Sequence, residues 1–283
     1  MTTKGEKRAS VSLGRLETLW FNTGTLCNLA CATCYIDSSP RNDALVYLSR
    51  GEVEAFLDQA ERLGTREIGF TGGEPFMNPD IVAMIEVALT RGFEVLVLTN
   101  AMRPMRRFEA ELKPHERLTI RVSLDHFTAS VHDSERGAGS WAKAVDGLRW
   151  LAASGFRVAV AGRRLEEEAE ARRCYANLFE RLGIVVEHLV LFPPMDPDAD
   201  VPEISEACWD IVGVSPSSMM CASSRMVVKA KGADRPHVVA CTLLPYDPQF
   251  ALGPSLAGAG GEVMLNHPHC ARFCVLGGAS CSA

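Results

Sequence analysis

The chain has 283 residues, 47% of them hydrophobic and 23% charged, which is enough apolar surface for a large core and excludes general disorder. Its 29 Lys+Arg against 35 Asp+Glu leave a net charge of -6, whereas polyanion binders carry a basic surplus, so nucleic acid is not an expected partner. No apolar run approaches the ~20 residues of a membrane span, and the opening MTTKGEKRASVSLGRLE lacks the apolar segment of a signal peptide; the expectation is a soluble, cytoplasmic protein with no membrane partner.

Residues 1–17 read as an N-terminal extension, and TLWFN is the first strand. Ser49 and Glu52 stand at capping-box spacing and open a helix that stops at Gly64. A strand at 67–70 follows, then Asn78-Pro79 as a cap with proline at the first helical position, and a helix through Arg91 closed by Gly92. FEVLVLT and RLTIRVSLD are strands, Ser140 is expected to cap a helix to Ala153, and FRVAVAG is a further strand. A helix over 166–182 leads to IVVEHLVLF. Strand–helix repeats at this spacing imply βαβ units on a parallel sheet. Six or so units make an α/β fold, a partial (βα)6 TIM-type barrel over 18–192, with its chemistry at the C-terminal strand ends. A proline- and aspartate-rich connection is expected over 193–215, and a small α+β segment over 216–283. There, RMVVKAKGADRPHVVACTL reads as a hairpin turning at 231–235.

Ten cysteines in a chain expected in a reducing compartment point to metal or redox chemistry over disulfides. Cys27, Cys31 and Cys34 form a C-x3-C-x2-C loop directly after a strand. Three thiolates on one loop can hold three corners of an iron–sulfur cube and leave one iron open. A zinc loop would want a fourth ligand nearby, and the nearest histidine is His115. A second group, Cys221, Cys241, Cys270, Cys274 and Cys281, crowds the C-terminal part. It suits a second metal centre, either iron–sulfur or a structural zinc that draws on His267 or His269. Cys174 and Cys208 read as ordinary packed or exposed cysteines.

The cysteine loop resembles that of the radical S-adenosylmethionine (SAM) enzymes, and three further motifs follow in order. Thr71-Gly72-Gly73-Glu74-Pro75 looks like the family's Gly-Gly-Glu motif, Leu98-Thr99-Asn100 like its Thr-Asn-Gly strand end, and Val122-Ser123-Leu124-Asp125 with Arg136-Gly137 like the strand that holds ribose and methionine carboxylate. The resemblance covers about residues 18–192. It implies a [4Fe–4S] cluster on Cys27, Cys31 and Cys34, with SAM contacted by Thr33, Gly72, Gly73, Glu74, Asn100, Ser123, Asp125 and Arg136. Reductive cleavage of SAM would give a 5′-deoxyadenosyl radical that takes a hydrogen from the substrate, after an electron arrives from a donor such as flavodoxin or ferredoxin. Two positions depart from the pattern: Thr33 stands where an aromatic is frequent, and Ala101 replaces the glycine after Asn100.

The hairpin flanked by Cys221 and Cys241, followed by Cys270 and Cys274, resembles the twitch domain of such enzymes. That implies a second, auxiliary [4Fe–4S] cluster on these four residues, with Cys281 as a spare or replacement ligand. The double-cluster SPASM pattern needs more cysteines than are present. A three-cysteine cluster with an open iron is the other arrangement this tail allows. His126 follows the VSLD strand as a candidate proton donor or acceptor, and Arg163-Arg164 could meet an anionic substrate group. The expected reaction is oxidation or cross-linking of a small-molecule substrate, assisted by the auxiliary cluster. The alternatives are a peptide-modifying maturase and a non-catalytic iron–sulfur or zinc protein for electron transfer or scaffolding.

Overall fold

The structure is a computed structural model and describes residues 1–193 and 201–278. Strand β1 is Ser10–Val11 and β2 is Thr18–Asn22. Helix α1, Arg50–Leu63, opens with the expected capping box between Ser49 and Glu52 and ends at Gly64, whose φ of 69° is the left-handed turn that glycine permits. Next come β3 (Glu67–Thr71), α2 (Ile81–Thr90), β4 (Glu94–Thr99), the short α3 (Arg103–Arg106), β5 (Leu118–Ser123) and α4 (Ala129–Arg136). They are followed by α5 (Ser140–Ala153), β6 (Arg157–Arg163), α6 (Glu168–Leu182) and β7 (His188–Phe192).

Two caps differ from expectation. Asn78 does not start α2, because its amide donates to the carbonyls of Thr23 and Leu48 while its Oδ1 accepts from Asp80 N. Asp80 then becomes the N-cap. Ser140 is the first helical residue of α5. Its end is held by Asp133 of α4, which accepts from Gly139 N, Ser140 Oγ and Trp141 N. The cap comes from a helix that periodicity did not reveal.

Strands β2 to β7 are parallel in sequence order. On the free side of β2 lies β8 (Ser224–Val228), also parallel, then β9 (His237–Val239) and β10 (Ala251–Gly253), both antiparallel to their neighbours. The predicted hairpin is therefore β8–β9, and it continues the barrel sheet. Outward strand residues such as Phe21, Phe70, Val97, Ile120, Val122 and Val160 pack on the helices. Inward, Trp20, Leu96, Met226, Val228 and Val239 close the barrel floor. Gly69 makes room there, since a Cβ at 69 would lie 2.3 Å from the Trp20 indole.

A second core lies beside the barrel. Residues 1–17 are more than an extension: β1 pairs with β11 (Val263–Met264), and Ala9 exchanges backbone bonds with Ile204 and Leu265. Ala9, Val11, Met219, Leu244, Phe250 and Leu265 are buried together. Helix α7 (Cys208–Val212) and the π-helical turn Cys270–Val275 flank this core. Among the described residues no helix is long and apolar enough to cross a membrane.

Candidate active site

The loop after β2 leaves the sheet at its C-terminal end and is tied down by backbone bonds. Thr25 N donates to Leu45 O, Cys27 N to Ser39 O, and Ala32 N to Glu135 O of α4. Gly72 and Gly73 press against its start. A Cβ on Gly72 would lie 2.5 Å from Gly24 O, and one on Gly73 would lie 2.3 Å from Leu26 O, so this pair must lack side chains for the loop to approach. Amides are aimed at the thiols: Leu29 N is 3.4 Å from Cys27 Sγ and Ser38 N is 3.3 Å from Cys34 Sγ. Burial pushes the Cys27 thiol up to about 12 and raises Cys31 as well, against the pull of Arg136. Ligation would therefore have to displace protons, as iron and zinc do when they take thiolates.

Cys27, Cys31 and Cys34 line one open cavity together with Gly72, Gly73, Asn100, Ser123, Asp125 and Arg136. The structure thus brings together residues expected at the metal and cofactor positions from four strand ends. Asp125 takes a two-pronged ion pair from Arg136, Nε to Oδ2 at 2.7 Å and Nη2 to Oδ1 at 2.9 Å, the stronger geometry for a guanidinium. Burial opposes ionisation of Asp125, yet Arg136 and Arg163 hold it below the usual carboxylate range. Buried donors with no hydrogen-bond partner among the described residues also border the cavity: Trp20 Nε1, Ser38 Oγ and Arg163 Nη1. A polar cofactor with several acceptors, as SAM is, fits such a lining.

Three expected contacts face elsewhere. Thr33 turns its hydroxyl to Glu135 Oε2 at 2.6 Å, and its carbonyl accepts from Arg163 Nη2. Glu74 is buried at the junction of β3 and β4, accepting from Thr99 Oγ1 and from the amides of Phe76 and Asn100. Burial, against those three bonds, pushes Glu74 up to about 7; its carboxylate joins strand ends and does not reach the cavity. His126 is 3% exposed, with Nδ1 on Thr128 Oγ1 and Nε2 on Glu166 Oε1, both at 2.7 Å. Both ring nitrogens are committed, and His126 does not line the cavity.

Ala101, at φ 58°, adopts the conformation for which the pattern would use glycine. The reading of the sequence missed the aromatic wall. Tyr35 lies under the Arg163 guanidinium at 4.2 Å and meets Phe273 edge-on at 5.2 Å. It also missed Arg121 on the inner face of β5; an arginine at the centre of LTIRVS was the available signal, since a charge inside a doubly covered strand calls for a cavity.

A second, smaller cavity is lined by Cys221, Cys241, Cys270 and Cys274, with His269 beside them. The first two flank the hairpin, and the other two stand four residues apart on the π-helical turn. Leu243 N is 3.4 Å from Cys241 Sγ, and burial raises Cys221 to about 11. Met220, Leu243 and Cys274 border both cavities. Cys281 lies outside the described residues. Among the described residues no three His, Cys, Asp or Glu side chains converge as the ligands of one metal ion do; a cube that takes one thiolate per iron spreads its sulfurs further.

The sequence pattern of the Radical SAM superfamily matches residues 21–165. Mycofactocin maturase MftC of Mycobacterium ulcerans (strain Agy99) is 36% identical over 130 residues, which are 46% of this chain and 35% of that protein. The AdoMet-dependent heme synthase of Methanosarcina barkeri (strain Fusaro / DSM 804) is 25% identical over 189 residues, 65% of this chain and 53% of that protein. The matches thus span about a third to a half of these curated relatives. Among solved structures, Streptococcus suis SuiB bound to precursor peptide SuiA has the same fold, with a TM-score of 0.67 and 13% identity over 88% of this chain and 66% of that one. SuiB is also solved bound to S-adenosylmethionine.

Proposed function

The chain belongs to the radical SAM superfamily and is a radical SAM enzyme; from that premise we propose that it modifies a peptide, with a second iron–sulfur cluster in its C-terminal part. The observation that carries the proposal is one cavity bordered both by the loop cysteines and by Cys274 of the second group. Support for a peptide comes from the curated relative that matures mycofactocin and from the neighbour solved with its precursor peptide. This departs from the small-molecule substrate expected from the sequence.

Cys27, Cys31 and Cys34 are the proposed ligands of three irons, and Gly72, Gly73, Asn100, Ser123 and the Asp125–Arg136 pair the proposed walls of the SAM site. The bound cluster and SAM supply one-electron cleavage to a hydrogen-abstracting radical, and an auxiliary cluster supplies an electron acceptor. Arg136 holds Asp125 ionised and fixed, so its carboxylate is preorganised to accept hydroxyl donors. Tyr35, Phe192 and Phe273 present an apolar wall that keeps water from the reacting centre. Cys221, Cys241, Cys270 and Cys274 are the proposed auxiliary ligands, and a flavodoxin or ferredoxin the proposed donor.

The test is anaerobic reconstitution followed by reductant, SAM and a library of synthetic peptides. About eight irons per chain are expected, falling to about four in a Cys27/Cys31/Cys34→Ala variant that no longer forms 5′-deoxyadenosine. A peptide product lighter by two hydrogens is the expected oxidative outcome. Undiminished 5′-deoxyadenosine from the variant would sink the assignment of the loop. A small-molecule substrate is the second reading, favoured by the heme synthase match over 65% of this chain; modification of a porphyrin precursor with every peptide left unchanged would select it.

A further inference from the structure

Arg225 on β8 is 1% exposed, one of the largest fully buried side chains in the protein. Its Nε donates to Ala259 O at 2.9 Å, Nη1 to Cys221 O at 2.6 Å and Ser224 O at 2.8 Å, and Nη2 to Gly261 O at 3.4 Å. Every acceptor is a neutral backbone carbonyl. The buried guanidiniums of the first cavity are treated differently, since Arg136 and Arg163 share the Asp125 carboxylate. Among the described residues no carboxylate forms an ion pair with Arg225, and the one ionisable neighbour that bears on it is Cys221.

A guanidinium keeps its proton when buried, and a buried charge is costly unless an opposite charge faces it. Carbonyl dipoles satisfy the N–H groups here without supplying net charge. The same guanidinium holds the carbonyl of Cys221, whose side chain lines the cavity of four cysteines. Four thiolates on a four-iron core are net negative, and each electron added makes the group more so.

We propose that Arg225 is the counter-charge of the second centre, an electrostatic positioning residue that favours its reduced state and so raises its potential. This rests on the reading that Cys221, Cys241, Cys270 and Cys274 hold a four-iron cluster. The plainer alternative is that Arg225 only fastens the 259–261 loop to the start of β8.

The test uses the full-length chain carrying Cys27/Cys31/Cys34→Ala, reconstituted anaerobically so that iron reports the second centre alone. Redox titration followed by electron paramagnetic resonance compares this parent with Arg225→Lys and Arg225→Gln. Expected are about four irons per chain, a midpoint potential in Arg225→Gln clearly more negative than the parent's, and one in Arg225→Lys close to it. Loss of iron in the Gln variant with retention in the Lys variant would also support the counter-charge. An unchanged potential in an iron-replete Gln variant would overturn the proposal, as would equal loss of iron and of thermal stability in both variants. A parent that holds zinc or no metal would mean instead that the underlying four-cysteine reading has failed.

Discussion

Burial of His132 couples the active site to pH. The ring is wholly inaccessible, and its Nδ1 accepts the Asp125 amide at 3.2 Å. Burial, helped by Arg136, lowers its pKa from 6.5 to about 4. A base depressed in the fold is held neutral, so the unfolded chain binds the extra proton between those values. The stabilising share is complete above pH 6.5 and is lost as pH falls toward 4, amounting to roughly 3 kcal/mol. His132→Asn, which keeps an acceptor for Asp125 N, is expected to flatten the unfolding free energy across pH 4–6.5 in urea titrations; an unchanged slope would assign the acid loss to other groups. At this scale the motif residues were legible because cysteines, glycines and the Asp–Arg pair announce themselves by type and order. Where a side chain points was not legible. Thr33, Glu74 and His126 are claimed by Glu135, Thr99 and Glu166, partners 25 to 102 residues away that local spacing does not reveal.

Long periodic elements could be read well, and α1 matched to its capping box and terminal glycine. Short ones could not: α4 has eight residues and β1 two, too few to establish a period. Helix α5 carries a constraint that propensity alone would misjudge. Its Gly147 faces the strained Ala101, and an added Cβ would lie 1.8 Å from Ala101 O. Glycine to alanine inside a helix ordinarily stabilises by about 1 kcal/mol. Here the sign should invert, since the backbone after β4 must move. Gly147→Ala is expected to cost about 2 kcal/mol or more in denaturant unfolding and to weaken SAM binding by displacing Asn100, a proposed wall of the SAM site. A variant more stable than the parent would mean that α5 can shift freely.

At the scale of the molecule, the fold class followed from the βα rhythm, while the attachment of the tail did not. Parallel pairing of β8 with β2, and antiparallel pairing of β1 with β11, joins segments whose sequences carry no mark of one another. Deleting residues 1–11 removes Ala9 and Val11 from the second core and bares β11. Hydrogen exchange is expected to quicken across 240–278 while β3 to β6 keep their protection, and loss of the proposed second cluster should lower iron by about four per chain. Equal protection throughout would show that the tail stands without its N-terminal strand.

That same strand pair sets a schedule for synthesis. Val11 meets Val263, so an early-made segment must wait while about 250 further residues are translated, roughly 13–50 s at ordinary elongation rates. Through that interval the half-built second core is open to solvent, and Cys221 and Cys241 are synthesised before Cys270 and Cys274 exist to join them. The proposed second centre is therefore completed after the barrel, and oxygen met during translation would strike its cysteines before those of the folded barrel.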